Sequence, residues 1–217
     1  IKKMKWKLPI AIIVTGIAFM YFVATLSKLP HGAYWSLILA AIPLTLILVW
    51  TKGQKRLFKS LRPLDLETFL ISYEQIYAKG RNIVGTALYF CRGYQMISPY
   101  IVHSIFRSNI IYERNILISI NRTDEPFGVK IQMKQDLAPG LEALEMEAGY
   151  REILDIEGLI KEQGIQEKVI FYGVEDIVTR NPIWRIFSLI KRITPNFVQF
   201  SKLPPSRLQG IVTRVEM

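Results

Sequence analysis

Two long apolar runs open this chain, from about residue 8 to 26 and from about 34 to 50, with only a short polar linker, 27–33, between them. Each run is close to the 17–25 residues that cross a bilayer as a helix. No Asp or Glu occurs in the first fifty residues. An unpaired charge at that depth would be strongly unfavourable. The pattern predicts a helical membrane hairpin. Lys2, Lys3, Lys5 and Lys7 do resemble the basic front of a signal peptide, but the run is long for one and a second span follows at once.

After Trp50 the pattern changes to short mixed elements. Residues 52–61 continue the second helix into the headgroup region. Asp65 caps a helix bearing Leu66, Phe69, Leu70 and Tyr73 on one face, and Gly80 ends it. Residues 83–90 read as a buried strand, Arg92-Gly93-Tyr94 as a turn, and 99–108 as a helix opened by Pro99. Residues 115–120 form a second buried strand, so the trio predicts a βαβ crossover covered on both faces. Val129, Ile131 and Met133 alternate with Lys130, Gln132 and Lys134, while Leu144, Met146 and Ala148 alternate with Glu145 and Glu147. These are two half-exposed strands joined at Pro139-Gly140, with lysines facing glutamates across the hairpin. A short helix follows Asp155 and stops at Gly164. Residues 169–172 read as a strand. Asn181-Pro182 starts a helix through Ile193, with Trp184 and Phe187 expected in the core and Pro195 as its stop. A last strand covers 208–215. The fold class is therefore a membrane helical hairpin followed by a cytoplasmic mixed α/β domain with a single sheet of about five or six strands. Three segments are expected: 1–51 with the two membrane helices, 52–80 as a basic juxtamembrane stretch and connecting helix, and 81–217 as the α/β domain.

Charge orients the hairpin. The chain has 217 residues, with 28 Lys plus Arg against 18 Asp plus Glu, and every acid lies after Trp50. Four lysines precede the first span and five basic residues lie in 52–62, whereas the linker has only Lys28 and His31. The positive-inside rule puts both termini and the soluble domain in the cytoplasm of a multi-pass protein of the cell membrane. The 52–62 run is a topology anchor at lipid headgroups. It has no aromatic platform, so nucleic acid is not an expected partner. Cys91 is the single cysteine, which excludes a disulfide framework and a thiolate metal site.

The chemistry-bearing residues are sparse. There is no Gly-rich phosphate loop, no HExxH and no nucleophile elbow. His31 and His103 lie far apart and lack metal-ligand spacing. Glu113-Arg114 reads as an internal ion pair before a binding clamp. Glu175-Asp176 reads as a cap before a metal site, and Tyr73 with Tyr77 as packing four residues apart. No catalytic, cofactor-binding or metal residue is assigned, and the chain is not expected to be an enzyme. A membrane-tethered enzyme would need an undetected site around Glu113, Arg114 and Glu175.

Several segments, in order, resemble the C-terminal part of the Kup/HAK/KT potassium-uptake permeases. The helix junction Lys28-Leu29-Pro30-His31-Gly32-Ala33-Tyr34-Trp35-Ser36-Leu37 is similar to the family's Lys-Ile/Leu, Gly-Gly, aromatic-pair, Pro-Leu pattern. Ala33 and Ser36 replace its second glycine and its proline. Thr25 stands where Asn is frequent and Ala18 where an acid is frequent. Arg62-Pro63-Leu64-Asp65 with Phe69-Leu70 looks like the family's entry helix, and Gly85-Thr86-Ala87-Leu88-Tyr89-Phe90 like its Gly-Thr-Ala-Val-Phe strand. His103 with Glu113-Arg114-Asn115-Ile116, Gly149-Tyr150, Phe171-Tyr172 with Glu175, Pro204-Pro205-Ser206-Arg207-Leu208 and Val215-Glu216 continue the series.

The resemblance implies a twelve-helix permease that takes up potassium, commonly with protons. This chain would hold its last two helices and its C-terminal domain. The resemblance places the ion site in earlier, discontinuous helices, so no potassium ligand and no cofactor is expected here. The implied partners are the lipid bilayer and the remaining transmembrane helices. A homodimer and a regulatory nucleotide are further candidates. Arg62 to Asp65 would couple the last membrane helix to the domain. The sequence begins at Ile1 and is expected to be a piece of a longer polypeptide. The alternative is a standalone membrane-anchored binding or regulatory domain.

Overall fold

The structure, a computed structural model, describes residues 7–28, 30, 32, 34–194 and 203–217. Lys2, Lys3, Lys5, Leu29, His31, Ala33 and Pro195, which figure in the sequence reading, lie outside the described residues. The chain divides into two compact units, Ile1–Thr51 and Lys52–Met217.

In the first unit, α1 runs Lys7–Ser27 and α2 begins at Tyr34, continuing as one helix to Leu61. Both are long and apolar enough to span a membrane. Ile10, Ile13, Phe19 and Phe22 are exposed on different sides of α1, and Leu37, Leu39, Ile42 and Leu46 on different sides of α2. A helix that is apolar all round needs an apolar solvent, which here is lipid. Two hydroxyls in these helices bond to the carbonyl one turn back: Thr25 Oγ1 donates to Tyr21 O at 2.7 Å and Thr51 Oγ1 to Ile47 O at 2.8 Å. Thr25 thus closes its own hydrogen bond within one helical turn.

The second unit is built on a six-stranded sheet in the order β5-β6-β4-β2-β7-β8. Its strands are β2 (Ile83–Cys91), β4 (Tyr112–Thr123), β5 (Val129–Ala138), β6 (Leu141–Gly149), β7 (Glu167–Val178) and β8 (Leu208–Glu216). β2, β4, β6, β7 and β8 are parallel, and β5 returns antiparallel to β6. A second, two-stranded pairing joins β1 (Leu64–Asp65) to β3 (Met96–Ile97). The helices are α3 (Leu66–Tyr77), α4 (Pro99–Val102), α5 (Ile156–Glu162) and α6 (Pro182–Ile193).

Burial on both faces explains the nearly unbroken apolar runs of the central strands. Ala87, Tyr89, Leu117 and Phe171 point to one face, where Phe69 and Tyr73 of α3 and Tyr100 and Ile101 of α4 cover them. Leu88, Phe90, Ile116, Ile118 and Ile170 point to the other, against Ile156 and Ile160 of α5. The βαβ crossover and the β5–β6 hairpin form as the pattern predicts.

Three details differ from the sequence reading. The 99–108 helix has α geometry only over Pro99–Val102 and continues as a π turn, His103–Arg107. β7 is far longer than 169–172, because its second half pairs with β8 through Val178↔Glu216. Across the hairpin only Lys130 lies opposite a glutamate, Glu147. Lys134 faces Ala143 and instead donates to the Tyr94 hydroxyl, with its ammonium over that ring at 4.4 Å.

Candidate functional site at the switch point of the sheet

The chain leaves β2 toward β4 and β6 on one side, then returns to place β7 and β8 on the other. Strand order therefore reverses at β2. In parallel α/β sheets the crevice beyond the carboxyl ends of the strands at such a reversal is the usual ligand position. Here protein side chains occupy it. The β2–β7 ladder stops at Tyr89↔Phe171. Just beyond, the Tyr100 hydroxyl donates to Phe90 O at 2.5 Å and lies 3.3 Å from Phe171 O. Gly173 makes room for the ring, since a Cβ there would sit 2.7 Å from Tyr100 Cδ1. Burial raises the Tyr100 hydroxyl well above its ordinary pKa. Tyr100→Phe is expected to lose about 1–3 kcal/mol, because the Phe90 carbonyl loses the buried hydroxyl that donates to it. Urea unfolding of the chain in micelles measures this, and a change within experimental error would show that water replaces the hydroxyl.

The next layer is the end of α2. Gly53 and Leu57 are buried, one turn apart. A Cβ on Gly53 would lie 2.3–2.6 Å from ring atoms of Phe187 in α6, so only glycine lets the two helices approach this closely. Arg56 holds its guanidinium 5.2 Å from the centroid of Trp184. Arg92, just past β2, lies 5.7 Å from the Phe58 centroid and reaches Gln54 Oε1 at 3.4 Å. Arg62, with φ +47°, then turns the chain out of α2. Leu64 and Asp65 pair with β3, and the Leu66 N–H donates to Gln95 O at 3.0 Å. Asp65 caps α3 by accepting from the Thr68 N–H at 2.9 Å, and the Thr68 hydrogen bonds hold its carboxyl below the ordinary value.

The sequence-predicted candidates fall elsewhere and do not converge. Glu113 accepts from the Gly85 N–H at 3.2 Å. Arg114 grips Glu142 with two bonds of 3.0 and 2.8 Å, which holds the guanidinium above its ordinary pKa. Adjacent strand residues point to opposite faces, so Glu113 and Arg114 form no joint clamp. Glu175 pairs with Lys191 at 2.9 Å and Asp176 with Arg192 at 3.7 Å. Among the described residues no three His, Cys, Asp or Glu side chains could jointly hold a metal. His103 is exposed on the π turn.

Tyr73 and Tyr77 do stack, at 5.7 Å, but they also bond across the fold. Tyr73 donates to Gly140 O at 3.2 Å and Tyr77 to Glu113 O at 2.8 Å. Trp184 is corrected: it is half-exposed against Arg56 and not core, whereas Phe187 is fully buried. The indole sits on the flank of α6 and finds a cation there instead of an apolar pocket. Sequence reasoning missed Gly53, Leu57, Tyr100 and Gly173. The signal for the first pair was a glycine and a leucine four apart in an otherwise basic helix end.

Cys91 closes β2, with Sγ donating to Ile118 O at 3.5 Å. Burial pushes its thiol up to about 12. The raised value means the unfolded thiol ionises first as pH rises, so this contribution to stability is intact below about pH 9 and is lost between there and about 12. Tyr73 and Tyr89, also raised by burial, act in the same direction above their ordinary value. Alkylation of Cys91 by iodoacetamide at neutral pH is expected to be slow until urea unfolds the chain. Fast alkylation of the folded chain would show that the thiol is not held this way.

Comparison with known proteins agrees with the layout. Residues 84–217 match the family described as the K+ potassium transporter C-terminal domain, and residues 1–55 match the K+ potassium transporter integral membrane domain. The probable potassium transport system protein Kup of Geotalea uraniireducens is 63% identical over 98% of this chain and 35% of its own length. Kup 3 of Geobacter sulfurreducens is 64% identical with the same coverage. Kup of Methanosarcina barkeri is 49% identical over 97% of this chain and 35% of its own. The chain thus spans about a third of the length of the curated relatives it matches. No solved structure matches it. With transporters as relatives, two membrane-type helices and the family's C-terminal domain in one sequence, the chain belongs to the Kup/HAK/KT potassium transporter family, of which it represents the C-terminal region.

Proposed function

We propose that this chain is the C-terminal part of a potassium-uptake transporter that moves K+ together with protons, and that it supports and regulates transport instead of carrying the ion. The observation that carries this reading is α2. One helix runs from the membrane span into the α/β unit and ends there with Gly53 and Leu57 buried, beside the switch point of the sheet. A change in the seating of that helix alters Arg92, Phe187 and the β1–β3 pairing together. The absence of acids before Trp50 and the basic residues at 52–62 support a cytoplasmic location for both termini and for the domain. Among the described residues the sheet ends at β5 and β8, and a second copy as subunit partner belongs to the same reading. So does a nucleotide effector, at a position other than the crevice that Tyr100 fills.

The test uses the intact transporter that contains this chain, expressed in cells lacking other potassium uptake. Rubidium uptake that rises with external acidity, and that falls when α2 is unseated by Gly53→Leu while the protein still reaches the membrane, is the expected result. Uptake insensitive to that substitution would leave the domain as an anchored binding module without a part in transport. Labelling of a Glu216→Cys variant in inverted but not right-side-out vesicles checks the orientation. Mass photometry, and melting shifts with adenine and guanine nucleotides, check the two partners.

A further inference from the structure

Among the described residues, α6 leaves one apolar face exposed. At 100° per residue, Ile183, Ile186, Leu189, Ile190 and Ile193 fall within an arc of about 120°. Ile183, Ile186, Leu189 and Ile193 are 51, 48, 60 and 74% exposed. Phe187, at the margin of this stripe, is the buried residue that seats α6 on Gly53. Arg185 and Arg192 border the stripe on one side and Lys191 on the other, and α6 contains no acid. Arg192 is only loosely held by Asp176, with its side chain 72% exposed.

The position of this face identifies what covers it. Trp184 meets Arg56, and one turn later Phe187 meets Gly53. The register is antiparallel, so α6 runs against the direction of residues 53–57 of α2. Gly53 is three residues past Trp50, a rise of about 4.5 Å. Residues 52–62 and 180–192 together hold nine basic and no acidic residues. A short helix with an isoleucine-rich face and basic margins, packed on a residue three positions past the end of an apolar span, has the makeup of an interfacial helix.

We propose that the exposed face of α6 inserts into the headgroup layer of an anionic leaflet, with Arg185 and Arg192 on the lipid phosphates, while Lys191 stays paired with Glu175 at 2.9 Å. The long basic side chains reach the phosphates while their stems lie along the isoleucines. This goes beyond the transport reading and requires only that α2 spans a bilayer.

The experiment places nitroxide labels on Ile186→Cys and Leu189→Cys in the full chain with Cys91→Ala. The chain is held in nanodiscs of phosphatidylcholine, with or without phosphatidylglycerol. Accessibility to oxygen and to a nickel chelate reports depth. Labels at Leu46→Cys and Glu157→Cys mark the hydrocarbon and water limits. Both α6 labels are expected to read below the phosphates when phosphatidylglycerol is present. Arg185→Gln and Arg192→Gln are each expected to lower the bound-to-free ratio about fivefold, from roughly 1 kcal/mol per basic residue. Labels that read like Glu157→Cys overturn the proposal. So do labels shielded from both probes whatever the lipid, which would mean that protein covers the face, and equal depth in both lipid mixtures. If Leu46→Cys itself reads as water, the failure lies with the membrane span and not with α6.

Discussion

Replacing Gly53 with Ala should weaken the seating of α2 on the α/β unit, although alanine is the better helix former. Helix propensity alone favours alanine by about 1 kcal/mol at an interior position. Against this, the new methyl would lie 2.3–2.6 Å from the Phe187 ring, which is fully buried. Overpacking of that kind costs about 1–3 kcal/mol. The sign of the change therefore separates a helix end that is merely solvated from one that is docked. A double-mutant cycle sharpens the result. Phe187→Leu alone should destabilise, and the pair Gly53→Ala with Phe187→Leu should lose less than the sum of the two, because the smaller side chain accepts the methyl. Urea unfolding in micelles, followed by near-UV circular dichroism, gives all four corners. A stabilising Gly53→Ala, additive with Phe187→Leu, would dispose of the docking.

The second large effect lies at Asn115. This side chain is completely buried at the start of β4. Its Nδ2 lies 2.7 Å from Tyr112 O, 2.9 Å from the Tyr73 hydroxyl and 3.3 Å from Gly140 O, while its Oδ1 accepts from the Tyr112 N–H at 3.1 Å. One amide thus ties α3, β4 and the β5–β6 turn together. Gly140 takes part through its backbone at φ +68°, and a Cβ there would collide with the Tyr77 hydroxyl and Glu113 O. Asn115→Asp keeps the shape and removes the donor. A buried carboxylate would face the Tyr112 and Gly140 carbonyls, a loss of about 3–5 kcal/mol, as for a broken buried pair. Protonation relieves part of this. The folded-state pKa of the introduced carboxyl is raised, so the deficit relative to the parent should grow as pH rises past the ordinary carboxylate value. Unfolding midpoints of the two proteins at acid and neutral pH decide it. A deficit that does not change with pH would mean that the carboxylate is solvated.

The contrast between Asn115 and Phe187 shows what the sequence makes legible. Strands such as β2 and β4 are buried on both faces, and their apolar runs declare that locally. Caps such as Asp65, Asp155 and Asn181 act within three residues, so their chemistry is also visible in the string. The membrane spans declare themselves by length and by the missing acids. What stays hidden depends on partners far along the chain. Gly53 needs Phe187, Tyr100 needs Gly173, and Asn115 needs Tyr73 and Gly140. The full length of β7 is hidden for the same reason, since residues 174–178 are strand only because β8 lies beside them. Trp184 shows the opposite error: its place in a helical pattern suggested core, but one further step around the helix carried it to the flank and to Arg56. The candidate site was therefore legible only at its entry, Arg62 to Asp65, and not in the helix turns that dock.

The wide separation of Gly53 and Phe187 also sets a timetable. Ribosomes add about 5–20 residues per second, so the 134 residues added after Gly53 up to Phe187 take roughly 7–27 s to make. During that interval α2 is already synthesised while its partner helix is not. Leu57 and the bare face of Gly53 then lack the helix that buries them in the folded chain. A nascent chain stalled before α6 should carry a juxtamembrane helix that protease can reach, and release of the stall should close it.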